Sequence, residues 1–370
     1  MAEKRTIVIK IGTSTLTGGS KRINQPRVLE LVRQAACIRK SGENVCLVSS
    51  GAIAAGKEVL AFPQLEKTIP AKQMLAAVGQ PRLMDLYCQF FKVYGITVAQ
   101  ILLTGEDIRD RTRYLNARNT LASLLKQDVI PIVNENDTVA TDEIHIGDND
   151  NLSAMVSSLV DADLLVLLTD KAGIYTADPS MHKDARLIET IDSDEIPDAV
   201  WKAAGGSRNG LGTGGMATKL EAADTARRSG TMVVVASGDE PNVLLRIAKG
   251  ERIGTRVMPV VDTLESRKRY MLAGVGKGSA IIVDAGAKDA LLKGGSLLPV
   301  GIIQVSGNFE RGEIITVLDE KRNPVSLGMA NYAAKEVKMI KGTQSDQIEQ
   351  ILGYVIGEEV IHHNNMVLFK

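Results

Sequence analysis

From residue 6 to about residue 260, short runs of aliphatic and β-branched residues alternate with stretches of helical spacing. The runs are TIVIK, NVCLVSS, ITVAQILL, VIPIVN, LLVLLT and TMVVVAS, and none shows a strict in-and-out alternation. Continuous apolar strands are buried on both faces, as in a mainly parallel sheet covered by helices on each side. Helices are expected between them, over residues 24–42, 70–94 and 115–125, then from Asn151 and from Ala217. In the first of these Asn24 is placed to cap, Pro26 sits in the opening turn, and Gly42 supplies the stop. Val28, Leu31, Val32, Ala35 and Ile38 share its apolar face, and Arg33 and Lys40 fall on the solvated one. The expected architecture is a three-layer α/β/α domain with a mainly parallel sheet.

That rhythm breaks over residues 262–277, where Arg267, Lys268 and Arg269 are followed by Gly274 and Gly276. Beyond lie the strand patterns SAIIVD, GIIQVS, EIITVLD and PVSLGMA, separated by Gly, Asn and Asp turn residues, with brief helical spacing at 287–293 and 345–351. The chain is expected to divide into the α/β domain at 1–261, a linker at 262–277, and a small mostly-β barrel or pseudobarrel at 278–370.

Charge narrows the partners. The 370 residues carry 44 Lys+Arg and 44 Asp+Glu, so bulk attraction to nucleic acid or anionic lipid is not expected, and any polyanion must be met locally. No run approaches the roughly 18 apolar residues of a membrane span, and the amino terminus enters a strand pattern without a signal-like apolar stretch. A cytoplasmic protein is expected. Cys37, Cys46 and Cys88 show no CxxC spacing and lie in apolar runs, which reads as buried free thiols in a reducing compartment.

Two nucleotide-loop matches fail on context. The segment from Gly51 to Lys57 fits GxxxxGK, but Glu58 stands where a P-loop needs a hydroxyl for Mg²⁺. Gly210 to Gly215 fits GxGxxG, yet it follows AAGGSRN rather than a strand. His145, His182, His362 and His363 have no Ser or Cys partner suggested by the sequence, and neither a histidine base nor a metal cluster is expected.

The candidate chemistry gathers instead at the carboxyl ends of the strands, where open parallel sheets bind ligands. The first strand ends in Lys10, Gly12 and Thr13, the second in Ser49 and Ser50. VIPIV runs into Asn134, Glu135, Asn136 and Asp137, and LLVLL into Thr169 and Asp170. Lys10 closes an apolar strand, and Gly12 leaves room for a phosphate near the backbone. Thr213, Gly214, Gly215, Met216, Ala217, Thr218 and Lys219 form a glycine-rich entry to a helix ending in a second lysine, a combination suited to an anion. Asp148, Asn149, Asp150 and Asn151 precede another helix. One of them serves as its cap, and four in a row exceed that need. A site follows in which an Asp orients lysines while Asn and Asp groups receive a small zwitterion.

Together VIKIGTS, SSGAIAAG, NENDTVAT, GDNDNLSA, LLTDKAGIYTADP and GLGTGGMATK closely resemble the amino-acid kinase family, in its glutamate-phosphorylating branch. The similarity runs over the whole chain and includes a carboxyl-terminal part that resembles a PUA domain. The resemblance implies ATP-dependent phosphorylation of the side-chain carboxylate of L-glutamate, with Mg²⁺ carried by the ATP phosphates, as the first step towards proline. By motif position, Lys10 and Lys219 would hold the transferring phosphoryl group and Asp150 would organise both. Ser50, Asp137 and Asn149 would bind glutamate, helped by Asn134 and Asp148. Thr169, Asp170 and the run from Thr213 to Lys219 would bind ATP. Feedback inhibition by L-proline, a downstream glutamyl phosphate reductase and a homo-oligomer are further implications.

Two alternatives remain at this level. Another acceptor, acetylglutamate or aspartate, would suit the same fold, although the Asn and Asp clusters favour a free ammonium that acetylglutamate lacks. RNA binding is the other, because PUA domains occur in RNA-modifying enzymes. Against a nucleic-acid partner, residues 278–370 hold 9 Lys+Arg and 11 Asp+Glu, without the usual basic footprint, and Phe309, Tyr332, Tyr354 and Phe369 are scattered as core residues would be.

Overall fold

The computed structural model describes residues 4–140, 149–205, 215–262, 265–266, 271–272 and 275–369. The chain forms two compact units, residues 1–108 with 117–263 and residues 109–116 with 264–370.

The first unit is built on an eight-stranded sheet. Its strands are β1 (Thr6–Ile11), β2 (Asn44–Ser49), β3 (Val98–Leu103), β4 (Ile130–Glu135), β5 (Leu164–Thr169), β6 (Thr190–Ile191), β7 (Met232–Ser237) and β8 (Thr255–Val257). The order across the sheet is β3-β4-β2-β1-β5-β7-β8-β6, with every pairing parallel except β7 with β8. Helices follow the strands: α1 (Thr13–Thr17), α2 (Gln25–Lys40), α3 (Ala52–Val59), α4 (Ile69–Val93), α5 (Gly105–Arg109), α6 (Arg111–Lys126), α7 (Asn149–Leu159), α8 (Asp198–Ala203), α9 (Met216–Arg228) and α10 (Val243–Ala248). The mainly parallel, doubly covered sheet expected from the strand pattern is present.

Strand alternation divides the core into two layers. Ile7, Ile9 and Ile11 join Val45, Leu47, Val166 and Leu168 in one cluster with residues of α2, α4 and α10. Val8, Cys46, Val48, Leu165, Leu167, Val233 and Val235 are equally buried on the alternate positions, the side on which α7 and α9 pack against the sheet and each other. Lys10 shares the parity of Val8. A charged residue on a buried strand therefore faces the amino-terminal end of α7.

The α2 helix is capped as its sequence implies, with the Asn24 side chain accepting from the Arg27 N–H at 3.2 Å. Its apolar face is fully buried, and Gly42 follows the last turn at φ 103°. The α3 and α4 helices cross at two glycines: an added Cβ at Gly56 would lie 1.9 Å from the Leu75 carbonyl oxygen, and one at Gly79 1.8 Å from that of Ala52. The start of α3 is thereby drawn onto α4 directly after β2.

Several details depart from the sequence reading. Only Cys46 is buried, whereas Cys37 and Cys88 are exposed free thiols, because they fall on the outer faces of α2 and α4 rather than on the apolar stripes. The α7 helix begins at Asn149 rather than Asn151, which puts Asn149 and Asp150 inside its first turn. The antiparallel β8 was not expected, because three residues are too few for a pattern to emerge.

The second unit holds a five-stranded sheet of β9 (Val275–Val283), β10 (Ile302–Ser306), β11 (Ile314–Leu318), β12 (Pro324–Met329) and β13 (Met366–Leu368), in the order β10-β9-β11-β12-β13. It also contains α11 (Ala285–Leu292), α12 (Ala334–Ile340) and α13 (Ile348–Leu352). Phe309 and Tyr332 are buried in its core with Ile281, Val317, Val337 and Ile361. The Tyr332 hydroxyl donates to the Gly357 carbonyl at 2.6 Å and accepts from the Ile356 N–H at 2.9 Å. Tyr354 is not core: it is exposed, and its hydroxyl donates to Glu336 at 2.5 Å. The α12 helix and β13 are additions to the sequence reading.

Candidate active site

Four neighbouring strands, β4, β2, β1 and β5, end along one stretch of the sheet's carboxyl edge. Here the order reverses, since β2 lies on one side of β1 and β5 on the other. Such a switch point opens a crevice between the connecting segments.

Asp150 stands at its centre, 4% exposed in the first turn of α7. One carboxylate oxygen, Oδ1, lies 2.5 Å from Lys10 Nζ, and the other, Oδ2, lies 3.1 Å from Lys219 Nζ. The Thr218 hydroxyl donates to Oδ2 at 2.8 Å. Burial alone would raise the Asp150 carboxyl, but the charges of Lys10 and Lys219 outweigh it and hold the group below the usual carboxylate range. One anion therefore gathers two cations, leaving a net positive charge beside the crevice. Gly12 adjoins this triad, since a Cβ there would sit 3.4 Å from Lys10 Nζ.

Lys219 and Thr218 are brought in by the first turns of α9, whose entry residue Gly215 has φ 74°. Met216 and Ala217 open the same helix. Thr169 ends β5, buried, and its hydroxyl donates to Asp170 at 3.0 Å. Thr213, Gly214, Asp148 and His145 lie outside the described residues.

A cavity of about 780 Å³ opens next to the triad, lined among others by Ser50, Asn134, Asp137 and Asn149. Asn149 Nδ2 donates to the Ser49 carbonyl at 3.0 Å, the Ser50 hydroxyl at 3.0 Å and Asn134 Oδ1 at 2.9 Å. Two acceptors remain over. Asn149 Oδ1 and Asp137 Oδ1 are buried without a hydrogen-bond partner among the described residues. Desolvation pushes Asp137 up to about 6. Buried acceptors without donors are rare in folded proteins, and in a cavity wall they are open to a donor from a ligand or from water.

The sequence reading missed part of this lining. Lys21, Lys57 and the segment Phe62 to Gln64 also border the cavity, together with Thr13 and Ser14 from the end of the first strand, where candidate chemistry was expected. Lys57 falls within the P-loop match that fails on context, and it reaches the cavity from the ordinary helix α3. Spacing offered no signal for Phe62, which Arg22 covers at 5.6 Å from the ring centre.

Residues 5–237 match the sequence profile of the amino acid kinase family, and residues 279–352 that of the PUA domain. The chain belongs to the amino acid kinase family. Within it, the chain is 50% identical over 364 residues to a glutamate 5-kinase of Herpetosiphon aurantiacus, covering 98% of each sequence. A glutamate 5-kinase of Photobacterium profundum is 50% identical over 366 residues, covering 99% of this chain and 96% of its own. One of Deinococcus radiodurans is 48% identical over 363 residues, covering 98% and 99%. Among solved structures, an isopentenyl phosphate kinase spans 69% of this kinase chain at 17% identity with a TM-score of 0.47, too slight a likeness to bear on the site.

Proposed function

We propose that this kinase transfers the terminal phosphoryl group of ATP to the side-chain carboxylate of L-glutamate, forming L-glutamyl 5-phosphate and ADP, the first step of proline formation. The observation that carries the proposal is the pairing of a two-lysine, one-aspartate centre with a cavity wall offering two acceptors that have no partner among the described residues. A kinase family implies ATP as donor. The names of the relatives supply glutamate as acceptor.

The chemistry needs no proton carrier. A glutamate side chain, with an ordinary pKa of about 4.3, is already an ionised nucleophile at neutral pH. Its oxygen bonds to the terminal phosphorus as the bond from phosphorus to the bridging oxygen breaks, and that electron pair leaves with ADP. The obstacle is repulsion between the carboxylate and the triphosphate, met by positioning and fixed positive charge. Lys10 and Lys219 would flank the transferring group, and Asp150 would hold them apart at its two oxygens. Asp137 and Asn149 would receive the ammonium of glutamate, with Ser50, Asn134 and Asp148 completing the acceptor side. Thr169, Asp170 and the run from Thr213 to Lys219 would hold the nucleotide.

Mg²⁺ belongs to the proposal as a companion of ATP. Carried by the ATP phosphates, it would add to the positive charge of the two lysines around the transferring group. Catalysis is assigned to residues 1–261 and an accessory role to 278–370, joined by 262–277. No helix among the described residues is long and apolar enough to cross a membrane, compatible with a cytoplasmic enzyme. Its acyl phosphate is labile and would pass to a glutamyl phosphate reductase. Inhibition by L-proline at the acceptor cavity and assembly into a homo-oligomer complete the reading.

The test combines protein and Mg-ATP with glutamate, acetylglutamate, aspartate or no acceptor, and traps acyl phosphate as its hydroxamate. Hydroxamate with glutamate alone is expected. Product with another acceptor moves the substrate assignment, and none with any acceptor ends it.

A further inference from the structure

Four side-chain amides run in a line from the surface to the cavity. Gln80 Nε2 donates to Gln100 Oε1 at 3.1 Å, Asn134 Nδ2 donates to Gln80 Oε1 at 2.8 Å, and Asn149 Nδ2 donates to Asn134 Oδ1 at 2.9 Å. The residues come from β3, α4, β4 and α7, so no single element accounts for the alignment.

The direction of the line is set by backbone groups that can act in one sense only. The Glu135 N–H donates to Asn134 at 2.9 Å, so the atom it meets must be the carbonyl oxygen, and the Asn134 NH₂ must then face Gln80. The Ser49 carbonyl accepts from Asn149 at 3.0 Å, so the Asn149 NH₂ faces the strand and its oxygen is the atom left over. Each amide gives hydrogen outward and carries its oxygen inward. The line ends on an acceptor of Asn149, which lines the cavity as Asp137 does.

We propose that Gln80 is a positioning residue for acceptor recognition: by accepting from Asn134 it holds Asn134 and, through it, Asn149 with the carbonyl oxygen presented to the ammonium group of the acceptor. The proposal rests on the reading of the cavity as an amino-acid site. It extends that reading to a residue that does not line the cavity. A site built from oriented acceptors discriminates against ligands that lack the matching donor, because the acceptors stay buried and unpaired.

The experiment compares Gln80→Leu, which cannot accept, with Gln80→Glu, which still can. Readouts are KM for glutamate, KM for ATP, kcat, and the inhibition constant of glutarate, which keeps both carboxylates and lacks the ammonium. Gln80→Leu is expected to raise KM for glutamate about tenfold, the equivalent of roughly 1.4 kcal/mol, with KM for ATP, kcat and glutarate inhibition unchanged. Gln80→Glu is expected to stay within about twofold of the parent. Equal losses for glutamate and glutarate, or equal damage in both variants, would show a merely structural role and overturn the proposal, as would an unchanged KM in Gln80→Leu. Absence of hydroxamate from the parent protein with glutamate would instead defeat the functional reading beneath it.

Discussion

The two sides of the candidate site are finished to different degrees. On the phosphate side, Asp150, Lys10, Lys219 and Thr218 satisfy one another at 2.5–3.1 Å. On the acceptor side, Asp137 and Asn149 each keep a buried oxygen without a donor among the described residues. The difference follows from what each side must receive. A triphosphate brings negative charge, and two ammonium groups held ready for it would repel each other without an anion between them, so the protein supplies that anion itself. An amino acid brings its own ammonium, so the acceptors are left open for it. The first side is stable without ligand and the second is completed by ligand.

Asp150→Asn should break this contrast most severely. It keeps the shape but removes the charge that joins two buried lysines, and breaking a buried pair costs about 3–5 kcal/mol. Turnover should fall roughly a thousandfold or more, with lower thermal stability at neutral pH. Lys10→Ala should also abolish turnover while the fold survives, since it leaves Asp150 paired with Lys219. Steady-state hydroxamate assays with parallel thermal melts separate the two. Asp150→Asn retaining most of the activity would remove the organising role.

Asp137→Asn should give the next effect, with opposite signs for binding and stability. The folded-state value near 6 lies above the ordinary 3.8, so this carboxyl favours folding when protonated. Its contribution is fully present below about pH 4 and is lost as pH rises through 6. At about 1.4 kcal/mol per pH unit, the ligand-free protein carries a penalty of roughly 3 kcal/mol at pH 7. Asp137→Asn should therefore raise the melting temperature at pH 7 and have little effect at pH 4. It should also raise KM for glutamate at least tenfold, because the ammonium loses its counter-charge. In the parent, kcat/KM for glutamate should decline below pH 6 as Asp137 takes a proton. Persistence of that decline in Asp137→Asn would assign it to another group.

How much of this was legible beforehand depends on whether the information was local. The strands TIVIK and LLVLLT declare burial on both faces, and Lys10 is conspicuous because a charge closes such a strand. The sheet order, by contrast, is a long-range property, and what placed Lys10 beside Asp150 was parity along β1 together with the crossing of α7. The capping surplus in Asp148 to Asn151 pointed to a site, yet the helix start was misplaced by two residues because Asn149 and Asp150 work from inside the first turn. Cys37 and Cys88 are exposed although their surroundings are apolar, because an apolar run on a helix covers every face, only one of which is buried. Gln80 gave no signal at all. A glutamine in a 25-residue helix is ordinary until β4 brings Asn134 within 2.8 Å of it.

The smallest effect is the sharpest probe of the acceptor side. Ser50 accepts one of three hydrogen bonds from Asn149 Nδ2, which has two hydrogens to give. In Ser50→Ala the Ser49 carbonyl and Asn134 Oδ1 remain, so both hydrogens keep acceptors and Asn149 stays in place. Any loss then reports the contact of the Ser50 hydroxyl with the acceptor itself, for which a net hydrogen bond of about 0.5–1.5 kcal/mol predicts a rise in KM for glutamate of roughly two- to tenfold. The values of kcat and KM for ATP should not move, because the lysines and Asp150 are untouched. An unchanged KM for glutamate would take Ser50 out of the acceptor contacts and leave it as a second prop for Asn149. A rise well beyond tenfold would mean that Asn149 had turned, and that the Ser49 carbonyl and Asn134 Oδ1 are too weak to orient it alone.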